Sequence, residues 1–189
     1  MKHISAIALP FALLINPAYA DKHLKQYANE SKAVVQEFIQ QLKGELQSSM
    51  KSGGPIVAID MCKYKAPDIA KELSDKYGWK IARTSLKTRN PANAPDAWEK
   101  NVLEKFESRK SSGESIKPMA YFSEVEIKGE KSFRFMKAIP VAKPCLACHG
   151  ENINVNVLAK LNEQYPDDKA TGYKLGDVRG AFTIVRPIK

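Results

Sequence analysis

Across residues 22–48 the apolar side chains Leu24, Tyr27, Ala28, Val34, Val35, Phe38, Leu42 and Leu46 recur at three- and four-residue steps. That spacing places them on one face of a helix, and with no Gly or Pro before Gly44 it predicts one long amphipathic helix. Gly53-Gly54-Pro55 then breaks the chain, and the apolar run 56–61, bounded by turn residues, predicts a short buried strand. Helical spacing returns over 66–76, with Pro67 placed in a first turn. Residues 80–86 alternate like a strand, and Asn90-Pro91-Ala92-Asn93-Ala94-Pro95 reads as a loop. Asp96 is suited to cap a helix running to about residue 110, with Trp98, Val102, Leu103 and Phe106 along one face. The stretches 120–127 and 132–139 alternate around Lys128-Gly129-Glu130-Lys131, a hairpin pattern. A short helix over 155–165 stops at Pro166, and 180–188 has the β-branched and aromatic content of a last strand. The sum is an α+β domain, an antiparallel sheet of about five strands flanked by helices, with a long helix at its N-terminal side. No internal repeat or low-complexity segment interrupts it.

The first twenty residues do not belong to this pattern. Lys2 precedes a mostly apolar stretch, and Ala18-Tyr19-Ala20 is a small-x-small cleavage site, so residues 1–20 read as a secretory signal and 21–189 as a single exported, periplasmic domain. The apolar stretch is too short to span a bilayer, and no membrane insertion is expected after cleavage. Losing Lys2 reduces the formal net charge of +9 by only one. Acidic residues are interleaved with the basic ones, as in Glu104-Lys105 and Glu107-Ser108-Arg109-Lys110, which fits solvated faces and argues against a nucleic-acid partner.

The chemistry is concentrated in Cys145-Leu146-Ala147-Cys148-His149, the pattern of covalent haem c attachment. Two thiols at this spacing reach the vinyl groups along one porphyrin edge, and the adjacent His meets the iron. A second ligand cluster that would complete a zinc site is missing. Cys145 and Cys148 are therefore expected to anchor one haem c, with His149 as proximal ligand. No Met, His or Cys follows His149, so the other axial ligand comes from upstream, from a weaker group such as Lys or Tyr, or from water. His23, Met50, Met61, Cys62, Met119 and Met136 are the upstream candidates. Cys62 is left as an odd thiol in an oxidising compartment, and its chemistry suits an iron ligand or an inert buried side chain equally. Arg83, Lys87 and Arg89 offer cations for haem propionates, or simply solvated surface charge. Asn90 and Tyr121 are further polar candidates for the pocket. With His149 committed to iron and only His23 left in the mature chain, a hydrolytic triad is not expected, and the protein does not read as an enzyme. A helical-bundle cytochrome would require helix over 119–139, where the alternation favours strands.

The chain also resembles the Tll-like c-type haem domain family of cyanobacterial cytochromes and bacterial haem sensor proteins. The resemblance runs through Ile59-Asp60-Met61-Cys62, Ala66-Pro67-Asp68-Ile69-Ala70 and 83–96, then Phe133-Arg134-Phe135-Met136-Lys137-Ala138-Ile139-Pro140, the haem motif with Gly150, and 172–182. It implies a PAS-like fold and a haem held between the motif His and a cysteine, which here is Cys62. Thiolate ligation favours ferric iron, so a His/Cys site has a low reduction potential. The expected role is low-potential periplasmic electron transfer to an unidentified redox partner protein. Haem-based sensing of redox state or of a diatomic gas is the alternative, weakened by the lack of a fused output segment. The long first helix also has the length to pair two copies as a homodimer.

Overall fold

The computed structural model describes residues 17–188, so the export signal expected over 1–20 lies largely outside the described residues. Its elements run α1 (Pro17–Tyr77), β1 (Lys80–Thr84), α2 (Ala97–Ser111), β2 (Ala120–Ile127), β3 (Glu130–Pro140), α3 (Leu146–His149), α4 (Val155–Gln164) and β4 (Val178–Pro187). Pro91–Asn93 and Lys143–Cys145 each form a single 3-10 turn. None of the described helices is long and apolar enough to cross a membrane.

α1 is two helical arms joined at Gly53 (φ −162°, ψ 19°) and Gly54 (φ 67°, ψ −157°), the second of which takes a left-handed conformation that suits glycine. The arms run antiparallel: Glu37 in the first accepts hydrogen bonds from Lys76 Nζ at 2.8 Å and Tyr77 OH at 2.6 Å at the end of the second. The break expected at Gly53-Gly54-Pro55 is therefore present, but the strand expected over 56–61 is not. Those residues open the second arm, with Pro55 in a first turn where a missing N–H costs nothing. The buried positions Ala58, Ile59, Met61, Ala66, Ile69 and Leu73 keep a helical stripe, while Ile56 and Val57 are 37% and 41% exposed. Six apolar residues are too few to separate a helical from a strand period, and the stripe emerges only when 56–61 is read together with 66–73. Pro67 accordingly lies inside an arm rather than in its first turn. It is exposed there and removes one N–H from the ladder.

With that strand gone, the described residues form a four-stranded antiparallel sheet in the order β1-β4-β3-β2, one strand short of the expected number. Arg83 pairs with Phe182, Phe135 with both Ile184 and Phe122, so β4 and β3 are central. The β2–β3 hairpin turns through Lys128 (φ 53°) and Gly129 (φ 83°), the pair of positive φ angles that matches strand twist. Both faces of the central strands are covered. Phe133, Phe135, Phe182 and Ile184 meet Val34, Val35, Phe38, Ile69 and Leu73 of α1. Met136, Ala138, Val178 and Ala181 meet Val102, Leu103 and Phe106 of α2. Alternation thus sends successive residues into two separate apolar layers.

The α2 side also holds a polar knot. Asp96 caps α2 by accepting from Glu99 N at 2.8 Å, and Glu99 Oε2 accepts from Asp96 N at 3.1 Å. Buried Glu99 Oε1 also accepts from Thr183 Oγ1 at 2.8 Å and pairs with Arg134 at 3.1 Å, linking the helix to β4 and β3. Glu99→Ala removes the side-chain half of the capping box and the bond to Thr183, and leaves Arg134 with only the half-exposed Asp96. It is expected to cost about 3 kcal/mol, read as a lowered urea midpoint with unchanged slope.

Candidate functional site

A cleft of about 1060 Å³, including its solvent-open mouth, lies where β1 and β3 end and β4 begins, beneath the two arms of α1. Both arms reach it, through Leu42, Leu46 and Met50 of the first and Ala58, Ile59, Met61 and Cys62 of the second. Arg83, Thr84, Ser85 and Arg89 border it from β1 and the following loop, Leu161 and Tyr165 from α4, and Arg179, Gly180 and Phe182 from β4. Cys145, Cys148 and His149 complete the lining. All six residues singled out for a cofactor, Cys62, Arg83, Arg89, Cys145, Cys148 and His149, thus meet in one cleft.

α3 is a single helical turn, too short to hold itself, and it is clamped from outside. Gly150 ends it with N–H donation to Leu146 O at 3.0 Å, and an added Cβ at Gly150 would lie 2.6 Å from that oxygen. Tyr173 N donates to His149 O at 2.9 Å and Gly172 N to Gly150 O at 2.9 Å. His149 Nδ1 lies 2.7 Å from Ala170 O. A carbonyl only accepts, so Nδ1 carries the proton and Nε2 keeps its lone pair. Burial, and then the guanidinium groups of Arg179 and Arg89, hold the imidazole well below its ordinary range, so the ring is neutral. Neutral, with Nδ1 bonded to a backbone carbonyl, is the state in which imidazole ligates metals.

The three arginines differ in their attachments. Arg89 is 8% exposed and bonded to Asp168, Cys148 O and Ala170 O. Arg179 Nη1 donates to Ser85 Oγ at 3.0 Å and Lys87 O at 3.2 Å, and its guanidinium covers the Tyr173 ring at 5.4 Å. Arg83 makes no hydrogen bond or ion pair among the described residues and lies 6.0 Å from the Phe38 ring centroid. Lys87 donates to Thr171 O and covers Tyr173, outside the cleft lining. Cys62 sits among these cations. Burial pushes its thiol up, against the pull of Arg83, Arg89 and Arg179. The neighbouring Tyr165 phenol is pushed up to about 12, by burial and then Cys62, and stays neutral.

Of the other axial-ligand candidates, Met50 and Met61 also line the cleft. Met119 and Met136 are fully buried under α2, as core filler. His23 lies beside Tyr27 near the start of α1, away from the cleft lining. Asn90 caps the Pro91–Asn93 turn by accepting from Ala92 N, and Tyr121 packs against Trp98, so neither lines the cleft. Sequence reasoning did not select Arg179 or Tyr165. Arg179 lies in the 172–182 stretch that carried the family resemblance, whereas Tyr165 had no local signal beyond closing a helix.

The family model for Tll0287-like proteins matches residues 19–187. The chain belongs to the Tll0287-like family. Its fold matches the crystal structure of the cyanobacterial heme-protein Tll0287 with a TM-score of 0.64, over 93% of this chain and 98% of that one, at 23% identity. Comparison with curated proteins found no match. The Tll0287-like match covers every element that borders the cleft.

Gly180 is where the cleft floor is tightest. An added Cβ would lie 2.3 Å from Thr84 O and 3.0 Å from Ser85 Cβ, at φ +153°. Gly180→Ala is expected to part β1 from the start of β4 and to lower stability by about 2 kcal/mol, measured by urea denaturation.

Proposed function

We propose that the protein is an exported monohaem c-type cytochrome, with haem c linked through Cys145 and Cys148, bound by His149 and Cys62, and serving low-potential electron transfer in the periplasm. The observation that carries this reading is the convergence of the motif thiols, a neutral Nδ1-protonated His149 and the distant Cys62 on one cleft. The donor set and the lining fit the group. The walls supply apolar contact through Leu42, Leu46, Ile59, Leu161 and Phe182, and cations through Arg83 and Arg179. Arg83, with no anion partner among the described residues, is suited to a haem propionate, and Arg89 adds to the same positive field. Bound there, haem c would supply a one-electron ferric/ferrous couple. His149, its ring fixed by Ala170 O, would be one of the residues that hold the iron. Cys62 would hold the iron as a thiolate, whose electron donation would favour the oxidised state, and the three arginines would offset that charge.

The role is that of a carrier and not of an enzyme, exchanging electrons with a periplasmic redox partner protein, and the first arm of α1 offers a surface for a homodimer. Haem-based redox or gas sensing is the second reading. It is favoured by the origin of Cys62 on a helical arm that begins at the Gly53-Gly54 break, separate from the element carrying His149. A ligand on a separate element can withdraw without disturbing the attachment motif.

Coexpression with a cytochrome c maturation system is expected to give a single haem per chain that survives denaturing electrophoresis and is lost when Cys145 and Cys148 are both replaced by Ser. Ferric holoprotein should show the low-spin paramagnetic resonance signal of narrow anisotropy typical of thiolate ligation, absent in Cys62→Ser. A spectrum unchanged by that substitution excludes Cys62 as ligand. Rapid carbon monoxide binding by the reduced wild-type protein would favour sensing over the carrier role.

A further inference from the structure

The buried pair Arg89–Asp168 is connected to the attachment motif at three points. Asp168 Oδ2 accepts from Arg89 Nε at 3.0 Å and Nη2 at 2.9 Å, and the two side chains are only 9% and 7% exposed. Arg89 Nη2 donates to Cys148 O at 2.5 Å and to Ala170 O at 3.3 Å, while Asp168 Oδ1 accepts from Ala170 N at 2.8 Å. The Ala170 residue is thus gripped at its N–H by the carboxylate and at its carbonyl by the guanidinium. That same carbonyl accepts from His149 Nδ1. On the other side of the ring, Arg89 Nη1 stands 3.5 Å from Nε2, a donor facing the lone pair. In the metal-free protein an acceptor at Nδ1 and a donor beside Nε2 select one tautomer from both ends, and iron taken up at Nε2 would replace the second of these while the Nδ1 contact remains. A buried ion pair is costly unless its remaining donors are satisfied, and here they are satisfied by the motif backbone and by Ala170.

We propose that Arg89 and Asp168 are a positioning pair that fixes the tautomer and direction of His149 through the Ala170 peptide and sets the reduction potential of iron held there. The inference rests on the haem reading above. Arg89 draws electron density from the Ala170 carbonyl, which weakens it as acceptor for Nδ1–H and limits how strongly His149 donates to the metal. Its charge also lies on the motif side of the pair, whereas among the described residues the Asp168 carboxylate bonds to Arg89 and the Ala170 N–H. The cation therefore favours ferrous iron and the anion ferric iron.

Opposite shifts from the two members are the test, read by spectroelectrochemical titration of the holoprotein. Arg89→Gln should lower the potential and Asp168→Asn should raise it, each by about tenfold in the ferric/ferrous ratio, or about 59 mV for a one-electron couple. The double variant, which keeps a neutral amide pair, should return to within half of either shift. Should Arg89→Gln fail to accumulate, Asp168→Asn and the double variant carry the same sign test. Potentials that stay put, or that move in the same direction in both single variants while stability falls, overturn the proposal. Nitrogen NMR of His149 in haem-free protein provides a readout independent of the cofactor. It should show the Nδ1–H form in wild type and a tautomer mixture in Arg89→Gln, and a pure Nδ1–H form in both overturns the positioning role. Absence of covalent haem in matured wild-type protein would instead remove the haem reading, leaving the NMR result to decide the pair.

Discussion

A helix of one turn has no interior, so the arrangement of Leu146–His149 depends on partners supplied from elsewhere in the chain. The buried ion pair of Arg89 with Asp168 supplies the most connected of them. Its donors reach Cys148 O and Ala170 O, and its carboxylate holds the Ala170 N–H. Because both charges are withdrawn from water, their cost is offset only when the motif backbone and the segment at Ala170 are in place. The pair therefore ties the loop after β1, the Cys145–His149 motif and the segment before β4 into one unit.

The fold positions that unit through a sheet covered on both faces. α1 occupies one side of β3 and β4 and α2 the other, and the cleft opens only at the end, where β1 stops at Thr84 and β4 begins at Val178. Gly180 allows β4 to approach the end of β1 closely enough for Ser85 Oγ and Arg179 to bond. The two arms of α1 then lie over this opening and bring Leu42 and Cys62 from opposite sides of the Gly53-Gly54 break. The cleft is consequently built from elements far apart in sequence, with cations concentrated along one border and apolar side chains on the remaining walls.

Much of the local structure was legible because it rests on short-range rules. Asp96 capped its helix with Glu99, Lys128-Gly129 turned the hairpin with two positive φ angles, and the face containing Val34, Val35 and Phe38 buried as its spacing required. The strand expected at 56–61 failed for a physical reason. In so short an apolar run both periods fit, and the preference was settled by residues beyond it: buried Ala66 continues the helical stripe, and Ile69 and Leu73 lay it onto β3 and β4. Tyr165 was not legible as a site residue, since nothing in its neighbourhood distinguishes a phenol that lines a cleft from one in solvent, and Arg179 was marked only by its place in the 172–182 stretch.

By itself, the order of residues determined the local chemistry: two thiols and an imidazole within five positions, an unpaired cysteine upstream, the caps and the hairpin turn. These are properties of neighbours along the chain, where spacing alone sets geometry. Only the tertiary structure decided that Cys62 joins Cys145, Cys148 and His149 in one cleft, that Arg83 enters it with no anion partner among the described residues, and that Arg89 grips this motif through Asp168 and Ala170. Those contacts join residues scores of positions apart. They follow from the packing of two helical arms and a sheet edge, which no local pattern encodes.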